Sequence, residues 1–169
     1  NWTKNPAPVL SPSDPWELHL GEPEVIFDET EPANKYKMWF TSTGPGGNKW
    51  RIGYATSVNG ISWSRTPGFV LTEGAPGSWD DAGPAGPNVL KIGVQYRMWY
   101  GALRSGGIWQ IGTANSSDGL YWEKSGLNPI ITPLMPWEQF AAAHPSTIFD
   151  GIVYHMWYHV GPGTPQKIA

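Results

Sequence analysis

The chain has 169 residues, 15% of them charged, and a formal net charge of −3; that suffices for one domain with a sizeable core and offers no basic stripe for nucleic acid. It has no cysteine, which excludes disulfides and thiolate metal sites, and no apolar run of membrane-spanning length. Its 21 Gly and 17 Pro interrupt it too often for long helices, while 11 Trp supply much flat apolar surface.

In chain order, the first run is "PAPVL", ending at Leu10, followed by a loop carrying Trp16 and Glu17. "PEVIFD" (23–28), "YKMWFTS" (36–42) and "WRIGYATS" (50–57) are β-branched or aromatic and read as strands, with Asn59-Gly60 as the turn after the third. "PGFVL" (67–71) predicts a short final strand. The same order returns after a loop containing Trp79, Asp80 and Asp81: "PNVLKI" (87–92), "YRMWYGA" (96–102), "WQIGTANS" (109–116), the turn Asp118-Gly119, and "LNPII" (127–131). A third round starts after Trp137 and Glu138 with "PSTIFD" (145–150), the tight turn Asp150-Gly151, and "YHMWYH" (154–159).

The rounds are an internal repeat of about 60 residues. Met38, Met98 and Met156 are spaced 60 and 58 apart, and "IGYATSVNGISW" (52–63) returns as "IGTANSSDGLYW" (111–122). The Trp residues fall into four registers: Trp2, Trp63 and Trp122; Trp16, Trp79 and Trp137; Trp39, Trp99 and Trp157; and Trp50 with Trp109. Four antiparallel strands per repeat predict an all-β fold, a β-propeller of four-stranded blades that is incomplete in one chain. Trp39, Trp99 and Trp157 are expected to be buried between blades. Asn1-Trp2-Thr3 and Asn115-Ser116-Ser117 match the glycosylation sequon, a short pattern of little weight.

With "YRMWYGA" and the "NP-I-I" run, these paired motifs resemble the five-bladed propeller glycoside hydrolases of families 43, 32 and 130 and related predicted glycosylases. The resemblance spans the whole chain and is more specific for the blade than for an activity. The adjacency of Asp118 and Gly119 separates it from the sialidase Asp-box, which has a residue between the two. The resemblance implies a carbohydrate partner and an axial funnel whose acids stand at the starts of the innermost strands, often before a Pro. That position reads Glu22-Pro23, Gly86-Pro87 and His144-Pro145.

Glycoside cleavage needs two carboxyl groups, one giving a proton and one activating water or attacking carbon. The expected catalytic residues are Glu22 first, then Asp81 and Asp80. Glu24, two residues on, is expected to share a face with Glu22, and His144 to bind a sugar hydroxyl or a phosphate. Trp16, Trp79 and Trp137 lie in loops leading to the inner strands, either as stacking platforms for sugar rings or as plugs recurring with the blade. His155 and His159, four apart on a strand, read as structural. No phosphate cradle, nucleophile elbow or zinc spacing is present, so no cofactor and no metal are expected. A non-catalytic binding or scaffold propeller is the alternative, because Gly86 and His144 stand where acids are expected.

The boundaries read as an outer strand of a preceding blade (1–10), blade one (22–71), blade two (86–131) and a truncated blade three (144–169). Starting at Asn1 rather than Met, the chain reads as processed or as a piece, with no recognisable signal peptide. Fewer than three blades leave apolar faces and strand edges uncovered. The expected partners are therefore further copies of the chain or the remainder of a longer propeller, with no nucleic acid and no membrane.

Overall fold

The computed structural model describes residues 3–44, 49–161 and 167–169; Trp2 and the Asn1 sequon lie outside them. Strands β1 (His19–Phe27), β2 (Tyr36–Thr43), β3 (Trp50–Ser57) and β4 (Ser64–Arg65) form one antiparallel sheet in sequence order. Strands β5 (Gly83–Ile92), β6 (Gln95–Arg104), β7 (Ile108–Ser116) and β8 (Glu123–Lys124) repeat it. Strands β9 (Ala142–Phe149), β10 (Tyr154–Val160) and β11 (Lys167–Ile168) make a three-stranded third sheet. The sheets stand side by side with β5 between β1 and β9, the arrangement of propeller blades around an axis.

The repeated phrase explains the seams. Side chains alternate along a strand, so in Met38-Trp39-Phe40 the Trp faces one way and its neighbours the other. Met38 and Phe40 pack under Leu10, Trp16, Leu20 and Trp63 on one face of the first blade. Trp39 enters the opposite core with Tyr96, Met98 and Tyr100 of the second blade. It is fully buried, and its indole donates 2.9 Å to the Gly119 carbonyl in that blade. Trp99 repeats the arrangement against Tyr154, ring centroids 5.0 Å apart. Trp157 departs from expectation: it is 48% exposed. Its strand presents it to the side where, among the described residues, no further blade stands.

Two main-chain bonds recur along the seams. The N–H of Trp50 donates to Ala82 and that of Trp109 to Phe140, both 2.9 Å, tying each third strand to the start of the next blade. A carboxylate adds a clamp: Asp28 in the first blade accepts from Lys91 Nζ (2.7 Å) and Tyr96 Oη (2.8 Å) in the second. Burial opposes its ionisation, but Lys91, Thr30 and Tyr96 together hold its carboxyl well below the usual range.

The outer strands also differ from expectation. "PGFVL" and "LNPII" contribute one isolated bridge each, Ile52 with Leu71 and Ile111 with Ile131. The paired edge comes earlier, as β4 and β8. Pro67 and Pro129 have no N–H to give, and Gly68 turns into the left-handed region (φ 78°), so after β4 or β8 the chain leaves the third strand of the blade and touches it again later.

Candidate active site on the propeller axis

Each inner strand breaks register with its neighbour, between Gly21 and Glu24, between Ala85 and Asn88, and opposite Trp157–His159. Within each break the residue before Pro is left-handed: Glu22 at φ 50°, Gly86 at φ 58° and His144 at φ 49°. The Pro cannot donate to the ladder and keeps its predecessor out of the right-handed helical region, which favours a bulge there. For Gly this conformation is free; for Glu and His it costs about 1–3 kcal/mol, carried only where surroundings enforce it.

The three positions converge. Glu22 Oε2 accepts the Gly86 N–H at 2.9 Å, and Glu22 Oε1 lies 3.1 Å from His144 Nδ1. Thr41 Oγ1 accepts the same Gly86 N–H at 2.8 Å. Residues from blades one and three thus meet across blade two, and glycine at position 86 permits it: a Cβ there would sit 3.0 Å from His144 Nδ1. The pair stays open to solvent, with side-chain exposures of 35% for Glu22 and 45% for His144.

Glu24 lies one tier deeper. Its Oε1 accepts from Asn88 Nδ2 (3.0 Å) and the Val89 N–H (3.2 Å), while Asn88 Oδ1 accepts the Thr147 N–H (2.9 Å). Burial holds the Glu24 carboxyl above its ordinary range despite the bonds from Val89 and Asn88. Both glutamates reach the second blade, but the bulge between them gives them separate partners.

Asp80 and Asp81 do not join this group. Asp80 is buried against Lys124 Nζ (2.5 Å) and Ser78 Oγ (2.8 Å). Asp81 is buried and accepts the N–H groups of Ser105 (2.6 Å) and Gly77 (2.9 Å), which hold its carboxyl below the usual range. Glu17 and Glu138 do the same work after Trp16 and Trp137. Glu17 binds the Ser13 N–H and the Arg65 guanidinium; Glu138 binds the N–H groups of Leu134 and Met135 and the Tyr158 hydroxyl. All four carboxylates staple loops. Their side-chain oxygens bind loop groups or edge-strand cations, which sets Asp80 and Asp81 apart from Glu22.

The loop Trp residues separate. Trp16 lies over Gly53 and Trp79 over Gly112, so close that a Cβ at either glycine would fall 2.9 Å or 2.4 Å from the indole. Trp16 also meets Phe69 edge-on at 5.6 Å, and Trp79 lies 5.9 Å from Tyr100. Both are half-buried and seated against the blade. Ala169, paired with Tyr158 through two main-chain bonds, takes the register of these glycines in the third blade, and Trp137 there is 43% exposed.

Three residues at the axis escaped the sequence reading. Trp109 lies alongside His144 (centroids 6.4 Å, planes 28° apart), His159 lies 5.7 Å from His144, and Thr41 binds Gly86. Thr41, Gly101 and His159 all follow the Met-Trp-aromatic phrase. This repeat position changes residue type from blade to blade, as positions 22, 86 and 144 do. His155 instead pairs with Asp150 on the surface (2.8 Å).

The fold is that of the β-propeller glycoside hydrolases. A glycoside hydrolase structure superposes with a TM-score of 0.79 at 21% identity, covering 96% of this chain and 49% of its own. The β-1,2-mannobiose phosphorylase of Listeria innocua does so with 0.73 at 18% identity, covering 89% and 43%. By sequence, an uncharacterized protein of Mycobacterium tuberculosis is 31% identical over 131 residues, 74% of this chain and 40% of the relative. The chain therefore spans well under two thirds of the proteins it resembles. No family model matches it.

Proposed function

We propose that this chain is the part of a carbohydrate-active propeller that carries Glu22 and His144 as a proton-transferring pair at the axial site. The observation that carries this reading is their 3.1 Å contact on two left-handed, bulged inner strands, over a glycine that leaves them room. Glycoside hydrolases and a mannobiose phosphorylase among the fold's neighbours support a sugar as ligand.

In this reading Glu22 acts on the substrate and His144, bonded through Nδ1, sets its orientation and shares its proton. A glycosidic oxygen leaving in a bond cleavage takes a proton from such a pair; an attacking water gives one to it. The second carboxyl group that hydrolysis needs comes from a blade outside this chain, since Asp80 and Asp81 serve the loops. A purely sugar-binding propeller is the second reading, favoured by the absent side chain at Gly86.

The test is Glu22→Gln in the complete protein, assayed by hydrolysis and phosphorolysis of a broad glycoside panel. Turnover is expected to fall at least about 100-fold, the usual worth of a general acid or base, with sugar affinity retained. Wild-type protein that binds sugars but turns over none selects the binding reading. Unchanged turnover in Glu22→Gln removes Glu22 from the chemistry.

A further inference from the structure

The two seams differ in charge at the end away from the axial pair. In the first, Asp28 accepts from Lys91 and Tyr96 of the next blade, and Lys37 Nζ pairs with Glu31 (2.8 Å) while lying over the Tyr96 ring. In the second, the strand register puts Ile92 in the place of Asp28, Phe149 in that of Lys91, Tyr154 in that of Tyr96 and Arg97 in that of Lys37. The loop that carries Glu31 has no counterpart there, because Ile92 pairs directly with Gln95 across the turn Gly93-Val94. Both carboxylates are gone and a cation remains.

We propose that this end of the second seam is an oxyanion site, and that Arg97 takes the carboxylate of an acidic sugar there. The proposal rests on the carbohydrate reading above and adds a ligand class and a second region of contact. Ile92 stands six residues along the inner strand from Gly86, about 20 Å by the rise of a strand, so the site is separate from the axial centre.

Arg97 is held ready for such a contact. Its guanidinium carbon lies 5.2 Å from the Tyr154 ring centroid and 5.6 Å from that of Trp99, cation–π contacts that fix its plane. Among the described residues no carboxylate pairs with it, and its Nε is buried without a hydrogen-bond partner. The side chain as a whole is only half-buried, so a ligand approaches the terminal nitrogens and need not reach Nε. Two parallel N–H bonds from that edge match the two oxygens of a carboxylate. A cation partly withdrawn from water without a counter-charge is destabilising, and a bound carboxylate relieves it.

The aromatic neighbours select a sugar over a bare ion. Phe149 and Tyr154, ring centroids 4.8 Å apart, are both open to solvent at this edge. Exposed rings beside a cation suit a ligand with an apolar C–H face and a carboxylate, which is the chemistry of a uronic acid. A small inorganic oxyanion would use the cation and leave the rings uncovered.

The experiment is calorimetric titration of the complete protein with a glucuronic acid-containing disaccharide, its glucose counterpart and inorganic phosphate, for wild type, Arg97→Gln and Ile92→Asp. Wild type is expected to bind the acidic disaccharide at least about 10-fold more tightly than the neutral one, the usual worth of a hydrogen bond to a charged group. Arg97→Gln is expected to erase that preference and keep the affinity for the neutral sugar. Ile92→Asp puts a carboxylate where Asp28 stands in the first seam and is expected to weaken only the acidic ligand, without lowering the melting temperature. A wild type that binds the neutral sugar but does not prefer the acidic one, or a preference that survives Arg97→Gln, overturns the site and leaves the carbohydrate reading intact. Phosphate binding to wild type as tightly as the acidic disaccharide, and lost in Arg97→Gln, overturns the sugar assignment. If neither sugar binds wild type, the carbohydrate reading fails and the acidic sugar falls with it. Should Arg97→Gln not fold, Ile92→Asp decides alone: an unchanged preference there overturns the site.

Discussion

Trp99 and Trp157 hold the same place in consecutive blades, on the same face of the same strand, yet one is 4% exposed and the other 48%. Strand alternation aims both identically. What differs is the neighbour: Tyr154 covers Trp99, and no described residue of another blade covers Trp157. Burial in a propeller is thus a property of the seam, and a repeat can fix where a side chain points without fixing whether it is dry. The loop Trp residues divide in the same way, Trp16 and Trp79 seated on glycines and Trp137 nearly half exposed beside Ala169.

The largest test of that contrast is Trp99→Ala, expected to cost about 3–5 kcal/mol as a large-to-small change in a covered seam, measured by denaturant melts. A loss below about 1 kcal/mol would place Trp99 outside the core. Next comes Asp28→Asn, which removes the negative charge facing Lys91 across the first seam and is expected to cost about 3 kcal/mol near neutral pH. Because the folded pKa of Asp28 lies below its unfolded value, its contribution is complete above about pH 4 and is lost as pH falls through the lowered folded value. The gap between wild type and Asp28→Asn should therefore be flat from about pH 7 to 5 and narrow below about pH 4. A gap independent of pH down to about pH 2 would mean the clamp is not ionic.

Smaller still is Gly112→Ala, expected to cost about 1–3 kcal/mol by overpacking against Trp79. A neutral result, read from the same melts, would mean that Trp79 can leave its seat as Trp137 has. The smallest effect is expected from Trp157→Ala, within about 0.5 kcal/mol for an exposed site. If Trp157→Ala costs as much as Trp99→Ala, its face is covered in solution, by another copy or another blade.

The spacing of Met38, Met98 and Met156 made the blades legible, since a two-residue period and a recurring Trp leave few other folds. The outer strands were not, because Pro67 and Pro129 break the ladder inside runs whose composition alone reads as strand. The surroundings of Asp80 and Asp81 were not legible for a related reason. Their nearness to the inner strand is visible in the sequence, whereas the turn N–H groups that capture Asp81 and the Lys124 that captures Asp80 become neighbours only on folding. Glu22 and His144 were each legible as candidates from the residue before Pro. Their contact was not, because it depends on two bulges and on three strands far apart in the chain. The closeness of His159 to His144 was not legible either, because spacing along a strand says nothing of a neighbour on the next one.

Position 86 has a consequence for how such a protein can change. The same backbone bend is built with Glu, Gly or His, so one scaffold position can display different groups, at a strain cost for any side chain but none for Gly. With Gly at 86 the groups at 22 and 144 touch; any side chain there would come between them, since its first carbon already crowds His144. The centre therefore behaves as a row of sockets in which leaving one empty wires its two neighbours together. Rewiring it takes one substitution at a site where the chain is already bent, with His144 giving way to the new side chain.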